Sequence, residues 1–552
     1  MAQQKRQFWI GFGIMIGITC FYAFITLQDL GYSYAPSTGW QGDGEGSEIL
    51  LDFGREVSFE GISCYLGNYE RRKFVLEMGN GDPVCWGIKK EICFNRVYQW
   101  EKIKAEGTGR YLRLTALNQI AELKELVIHG ADQEILVPAN ASLYPELFDE
   151  GYMLPDYPTF RAGTIFDESY FGRTAYEYLH GIRSYEDTHP PLGKLLISVG
   201  IALFGMNPWG WRIVNAVSGI VVLPLIWDFA RRVLEEPWGA CAATGLLALD
   251  FMHFTQTRVA GVDGFLVLFI WSAYYFIYRY WEKLGKKNGS GWLFLLAAGI
   301  CLGIAIGCKW SGFYGAAGAA VLLLSIFWGG YRSGSLSARY LRRTFWVCVG
   351  VFVAVPAGIY LASYLVYVPV GGKTGLLQDM WANQKNMLLY HANQGTEHVY
   401  ASKWYQWPLT VRPVLYFKNS REGMTEAVFT MGNPVVWWSG ALCFFWCLYR
   451  ALERDKKAAF LCVTYLAPFL PWILVPRYSF LYHYFPCVLP SVLCTVYCCG
   501  TAVGKNRGRF YMGGLLLTAG TVFVLYYPIL AGQLVRDRYI EWLDWLPGWG
   551  LL

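Results

Sequence analysis

Apolar runs of about twenty residues recur along this chain, and about twenty helical residues are what it takes to cross the hydrocarbon core of a bilayer. The first is FWIGFGIMIGITCFYAFITL, from Phe8 to Leu27; others lie at 212–230, 237–252, 260–279, 292–308, 313–329, 343–367, 433–449, 458–475, 483–500 and 510–530. The pattern predicts a polytopic α-helical membrane protein with about eleven transmembrane helices. Composition agrees, since 54% of the 552 residues are hydrophobic and only 16% are charged, against roughly 25% charged in soluble domains.

Lys and Arg set the expected orientation, because short basic loops stay cytoplasmic. The basic joints are Lys5-Arg6, Arg231-Arg232, RYWEKLGKKNG (279–289), YRSGSLSARYLRR (331–343), YRALERDKK (449–457) and KNRGR (505–509), and they fall at every second junction of the spans. A multi-pass protein of the cell membrane with a cytoplasmic N-terminus follows. The net charge of +6 then belongs to topology, and no nucleic-acid partner is expected, because the basic residues do not share one soluble face. Lys5-Arg6 before an apolar stretch also begins like a secretory signal, but that stretch is long and no small-x-small cleavage site follows it. Residues 1–30 are therefore expected to be a retained first transmembrane helix.

Between the first span and the rest, residues 39–130 change texture. EILLDFGREVSFEGISCYLG, KFVLEMGNG, RYLRLTAL and ELKELVIHG are short alternating runs bounded by Gly, Asn and Asp, the pattern of strands in a β-sandwich. An inserted extracytoplasmic β domain is expected, whose wording GRYLRLTA…LKELVIHG resembles discoidin-like modules, which often bind carbohydrate. A purely structural or docking role is the alternative. Cys64, Cys85 and Cys93 lie in this segment, an odd count that allows at most one disulfide.

The segment 140–205 reads as an outer loop with interfacial helices. It contains TIFDESYFGRTAYEYLHGIRSYEDTHPPLGK (164–194) and ends in KLLISVGIALFG, a run too short to cross and expected to lie at the interface. Asp167 and Glu168 are adjacent, so on a helix they diverge by about 100° and cannot form one paired acid/base site. One is expected to reach the reacting atom and the other to orient something nearby. Pro190 holds His189 extended, leaving its imidazole either to donate to a phosphate or to serve as a structural hydrogen-bonding group, and Lys194 adds a cation at the same level. Further on, Arg258 and Asp263 stand at the mouth of a span, where ionisable residues are functional candidates; pairing of the two across a turn and a half of helix is the bland alternative. Lys309 with Trp310, Lys403 with Arg412, and Arg477 with His483 form three more clusters on the expected outer side. Cations there are not explained by positive-inside topology, and a lipid phosphate is the economical anion for them.

The collinear blocks FDESYFG, THPPLGKLL, NPWGWRIVNAVSG, TRVAGVDGFL, GCKWSGFYG, SKWYQWPLTVRPVLYF, GNPVVWW and FLYHYFP resemble the protein O-mannosyltransferases, polytopic glycosyltransferases of the GT-C type. The resemblance covers nearly all of the chain outside the β insertion, with a transmembrane GT-C core at 206–552 and an outer loop at 368–432. It implies inverting transfer of mannose from a polyprenyl-phosphate-mannose donor to Ser or Thr hydroxyls of exported proteins. Carried over by position, it implies Asp167 as catalytic base, Glu168 as an acceptor-orienting residue, Arg212 on the donor phosphate and Asp263 as second carboxylate. His189, Lys309, Arg412, Arg477 and His483 complete a candidate pool for the phosphate, with Arg258 positioning substrate. The loop at 368–432 is too short for the β-trefoil of eukaryotic members, and the shorter architecture resembles bacterial ones. No cofactor is expected, since Arg and Lys can stabilise a leaving phosphate without a metal; a divalent ion held by Asp167 with Asp263 is the less favoured alternative. Rival readings are a GT-C transferase acting on a lipid or surface polymer, and a carbohydrate-binding receptor or transporter.

Overall fold

The two sequence textures separate into two folded units in the computed structural model, which describes residues 2–81, 84–131, 134–284, 291–367, 375–393 and 398–551. One unit comprises Met1–Asp29, Tyr178–Val199 and Arg212–Leu552; the other comprises Leu30–Glu177 and Gly200–Trp211. Parts of the basic run at 279–289 and of the loop at 368–432 lie outside the described residues.

The second unit is built on eight antiparallel strands: β1 Trp40–Gly42, β2 Glu48–Tyr65, β3 Arg72–Asn80, β4 Cys85–Phe94, β5 Trp100–Ala116, β6 Ala121–Leu123, β7 Glu125–Gly130 and β8 Ile135–Leu136. Six form a sheet in the order β4-β3-β5-β2-β7-β8, and β1 pairs with β6. The period-two pattern read from the sequence is what fills the core: Ile49, Leu51, Leu76, Leu112, Leu114 and Ile128 all point inward, and Leu123 of the small sheet joins the same cluster. Cys64, buried, and Cys93, half-buried, are free thiols. The strands run on to Leu136, beyond the boundary expected at 130. Short 3-10 turns between Ala141 and Met153 follow them.

The helices are α1 Ala2–Leu27, α2 Glu168–Leu179, α3 Leu192–Phe204, α4 Pro208–Leu234, α5 Pro237–Ala248, α6 Phe251–Thr257, α7 Asp263–Lys283, α8 Trp292–Cys308, α9 Gly312–Arg332, α10 Ala338–Val349, α11 Val355–Ser363, α12 Leu376–Asn393, α13 Pro434–Leu452, α14 Lys456–Phe469, α15 Phe485–Ala502, α16 Lys505–Ala531 and α17 Asp537–Leu543. Among the described residues, eight helical segments are long and apolar enough to cross a membrane, one of them joining α10 and α11 through a π-helical turn at Gly350–Ala354. The sequence count of about eleven is reached only by adding three segments: the broken α5–α6 pair, α7 and the 17-residue α8. The expected interfacial run forms α3, 13 residues and so about 20 Å long, short of a bilayer core. The loop before α13 carries α12 and a hairpin of β9 Val414–Arg421 and β10 Met424–Thr430, to which β11 Leu534–Arg536 adds a third strand.

Arg231, Arg232, Lys457 and Arg509, from three of the basic joints, gather at one end of the helical unit. Arg231 and Arg232 bind Asp228, Arg232 also binds Glu282, Lys457 pairs with Glu235 at 2.7 Å, and Arg509 with Glu236 at 2.9 Å. All of these except Asp228, together with Gln4, Gln7 and Phe8 of α1, line one polar cavity. At the other end of α7, Asp263 meets the end of α8 through Lys309.

GNPVVWW is a packing motif. Asn433 caps α13, accepting from the Val435 N–H at 3.1 Å, and its amide donates to the Leu249 and Ala519 carbonyls at 2.9 and 3.1 Å. Trp437, one turn on, donates from Nε1 to Asp250 Oδ2 at 2.7 Å. Asp250 is in turn the cap of α6, accepting from His253 N–H at 2.9 Å. The break between α5 and α6 is thereby satisfied in hydrogen bonds and tied to α13 and α16. Trp437 lies against the Gly432 backbone, where a Cβ would meet the indole at 2.1 Å. Gly432→Ala is expected to cost about 1–3 kcal/mol by overpacking, while Gly358→Ala in α11, which meets nothing within 4 Å, leaves stability unchanged or slightly raised. Thermal unfolding of the two purified variants checks the difference.

Candidate active site

The loop THPPLGK is organised around a carboxylate that the sequence reading did not single out. Glu186 accepts from the Lys194 ammonium and from the Thr188 hydroxyl, from Thr188 N–H at 2.9 Å and from His189 Nδ1 at 3.0 Å. Lys194 also donates to the carbonyls of Glu186 and His189, each at 2.9 Å. It is fully buried, so it closes the loop as a structural cation, and the role expected for it as an available charge is corrected. Burial alone raises the Glu186 carboxyl, but Lys194 and His189 outweigh it and hold the group well below the ordinary range. Burial lowers His189, against the opposing pull of Glu186. A neutral ring whose Nδ1 faces a carboxylate carries its proton there, which makes Nε2 the acceptor. His189 thus donates to a phosphate only after gaining a proton.

Around this loop the structure gathers three of the predicted cationic residues. His189, Lys309 and Arg477 line one cavity of about 420 Å³ together with Trp310, Tyr314 and His391. An adjoining cavity of about 820 Å³ shares Trp472 and Arg477 and adds Lys403, Trp404 and Arg412. Lys309 is held by Asp263 Oδ1 at 2.8 Å. Burial lowers Arg477. His391, also missed from sequence, bonds through Nε2 to the Thr188 carbonyl at 3.0 Å and stands edge-on to His189. Burial first, then the competing titration of His189 and the Arg477 and Lys309 charges, push it down to about 4. A relay fixes the wall behind: Trp310 donates to Tyr360 at 3.1 Å, Tyr360 to Gln384 at 2.7 Å, Gln384 to Tyr364 at 2.7 Å, Tyr364 to Asn383 at 2.7 Å, and Asn383 to the Asp187 carbonyl at 2.7 Å.

Other predicted residues lie elsewhere in this unit. Arg258 and Asp263 do not pair with each other: the residues between them leave helix, so helical spacing does not apply. Arg258 donates instead to the Gln28 and Asp29 carbonyls at 3.0 and 2.9 Å. Arg212 is fully buried on α4, within electrostatic range of Arg258. His483 is buried between Trp407 and Trp472, with Nδ1 bonded to the Phe480 backbone, and is not among the residues lining either cavity.

In the other unit, Asp167 and Glu168 begin α2. The Asp167 carbonyl accepts the Tyr170 and Phe171 N–H groups at 3.0 and 2.9 Å, placing it at the cap. Glu168 is buried, its Oε2 accepting from Ile165 N–H at 2.9 Å while its own N–H donates to the Ile165 carbonyl at 3.0 Å. Phe166 between them takes φ 46°, a left-handed conformation costly for a bulky residue and concentrated at functional sites. Half-buried Asp167 therefore sits on a tightly determined turn, and Glu168 is what fastens it. The helix continues into Arg173, whose Nε donates to Glu177 at 3.0 Å, and Glu177 also receives the Asn68 amide at 3.0 Å.

The fold is shared with the S. cerevisiae protein O-mannosyltransferase Pmt1-Pmt2 complex bound to the sugar donor, at TM-score 0.62 and 14% identity, over 70% of this chain and 89% of that one. The helical architecture is thus the polytopic GT-C fold. Two sequence profiles match: "Dolichyl-phosphate-mannose-protein mannosyltransferase" at 159–211 and 203–369, and "C-terminal four TMM region of protein-O-mannosyltransferase" at 376–549. A polyprenol-phosphate-mannose–protein mannosyltransferase of Mycolicibacterium smegmatis is 29% identical over 71% of this chain and 89% of its own, and one of Mycobacterium tuberculosis 26% identical over 70% and 87%. The chain belongs to the protein O-mannosyltransferase family.

Glu186→Gln removes the counter-charge of a fully buried ammonium and is expected to cost about 3–5 kcal/mol, read as a lowered unfolding temperature. In the parent, the carboxyl titrates below its ordinary 4.5, so its contribution is complete above that pH and fades as pH falls through the lower folded value. The stability difference between parent and variant should therefore shrink on acidification below the ordinary glutamate range and stay flat above it.

Proposed function

We propose that the protein is a polyprenyl-phosphate-mannose–protein O-mannosyltransferase that moves mannose from the lipid donor to Ser or Thr hydroxyls of exported proteins. The observation that carries this reading is the cavity in which Lys309, Arg477 and His189 converge, in a chain of this family. Such a cavity suits the phosphate of a lipid whose chain stays in the membrane. The basic joints at the opposite end support a cytoplasmic N-terminus, with the cavity facing outward.

An alcohol is too weak an acid to ionise at neutral pH, so its proton must leave as the bond to the sugar forms. Asp167 takes that proton as general base, a contribution of about 10² to 10⁴ in rate. The hydroxyl oxygen bonds the anomeric carbon while the bond from that carbon to the phosphate oxygen breaks. The phosphate departs with the electron pair, and the configuration inverts. Lys309 and Arg477 neutralise the charge growing on it, Asp263 aims Lys309, and Arg412 and Lys403 extend the positive lining. These cations can stabilise the departing phosphate without a metal. Glu168 acts by holding the turn on which Asp167 sits, and through it the acceptor.

Asp167→Asn keeps the shape and removes the proton acceptor. With purified protein in lipid, polyprenyl-phosphate mannose and a Ser/Thr-rich peptide, turnover is expected to fall at least about a hundredfold while donor binding survives. Turnover within a few fold of the parent would remove Asp167 from this role and make Asp263 the base to test.

A further inference from the structure

We propose that Glu125, Asp149 and Glu150 in the β-sheet unit form a binding site for a divalent cation of the calcium class. One carboxylate oxygen from each lies within 4.8 Å of the others, the spacing of ligands around a common ion. Glu125, at the start of β7, is fully buried. Its Oε2 accepts from Glu150 N–H at 3.0 Å, while Oε1 is buried and meets no hydrogen-bond partner among the described residues. A carboxylate oxygen in that position needs a proton or a cation.

Among the described residues the neighbouring groups supply no cation. Glu150 accepts from Ser37 N–H at 2.6 Å, Ser37 Oγ at 2.9 Å and Thr38 N–H at 3.1 Å, and Thr38 Oγ1 bridges it to Asp149 at 2.9 and 3.0 Å. Lys124 is turned to the Ser37 carbonyl at 3.2 Å and to Glu122 at 3.6 Å. Three carboxylates without an ion pair among the described residues, all offering hard oxygen donors, suit Ca²⁺, whose flexible coordination accepts water for the remaining positions; Mg²⁺ demands a stricter octahedron. Asp149 is exposed and gives the ion an entry path. An ion here would join the segment entering the sheet, at Ser37–Thr38, and the segment leaving it, at Asp149–Glu150, to β7. Its effect would be to brace both connectors of the β unit.

The test uses the full chain in phosphatidylcholine nanodiscs, with ⁴⁵Ca²⁺ binding and thermal unfolding in calcium and in EDTA. The parent is expected to take up one Ca²⁺ per chain more than empty discs do, with a Kd of about 10⁻⁵ to 10⁻³ M, and to unfold at higher temperature in calcium. Asp149→Asn, at an exposed position, should weaken binding at least tenfold. Glu125→Gln should fold in EDTA as well as the parent does and lose the calcium-dependent rise. Absence of uptake by the parent at about 5 mM Ca²⁺, well above that range, overturns the proposal. So does uptake that is the same in both variants, which places the ion elsewhere. Equal unfolding temperatures of the parent in calcium and EDTA also overturn it, and identify the buried Glu125 as simply protonated.

Discussion

The buried ion pair between Glu186 and Lys194 is the interaction on which the rest of the cavity depends. Taking two charges out of water costs several kcal/mol per ion and is repaid only where every remaining lone pair and proton finds a partner. Lys194 meets that condition with one carboxylate and two carbonyls, and Glu186 with the backbone and hydroxyl of Thr188 and the His189 ring. The bonds close a ring of nine residues that Pro190 and Pro191 stiffen further. Its product is a His189 side chain whose position and tautomer are set before any ligand arrives.

From that fixed loop the positive lining follows. Lys309 would be a mobile side chain were it not held by Asp263, and the turn that bears it is fixed by the relay from Trp310 to Asp187. Donors held in advance need no reorganisation as charge develops on a leaving phosphate, which is the form of electrostatic catalysis that proteins use best. His189 and His391 are both kept from charging by burial, so the cavity's charge at neutral pH resides in Lys309 and Arg477. The Glu168 carboxylate does for Asp167, in its own unit, what Asp263 does for Lys309: it spends its charge on placing a neighbour.

The membrane class and the β insertion were legible because both rest on periodicity, which a single sequence displays. The cationic clusters were legible because positive-inside topology left them unexplained. The alternative that Arg258 pairs with Asp263 fails because the chain leaves helix between α6 and α7, a break that hydropathy does not register. Glu186 was passed over because its meaning depends on Lys194, eight residues and one turn of chain reversal away; YEDTHPP alone presents it as an ordinary loop acid. His391 lies some two hundred residues from Thr188, and no local pattern announces such a contact. The pairing of β11 with the hairpin before α13 was hidden for the same reason.

The account turns on whether the cavity around Arg477 and Lys309 recognises a lipid phosphate. The direct measurement is the affinity of the purified protein in nanodiscs for polyprenyl phosphate, with the corresponding polyprenol as the uncharged control, in the parent and in Arg477→Gln. The account predicts binding of the phosphate lipid but not of the alcohol, weakened about tenfold or more in the variant, as expected for loss of one charge-assisted hydrogen bond. Equal binding of phosphate and alcohol, or a variant that keeps the parent's preference undiminished, would contradict it.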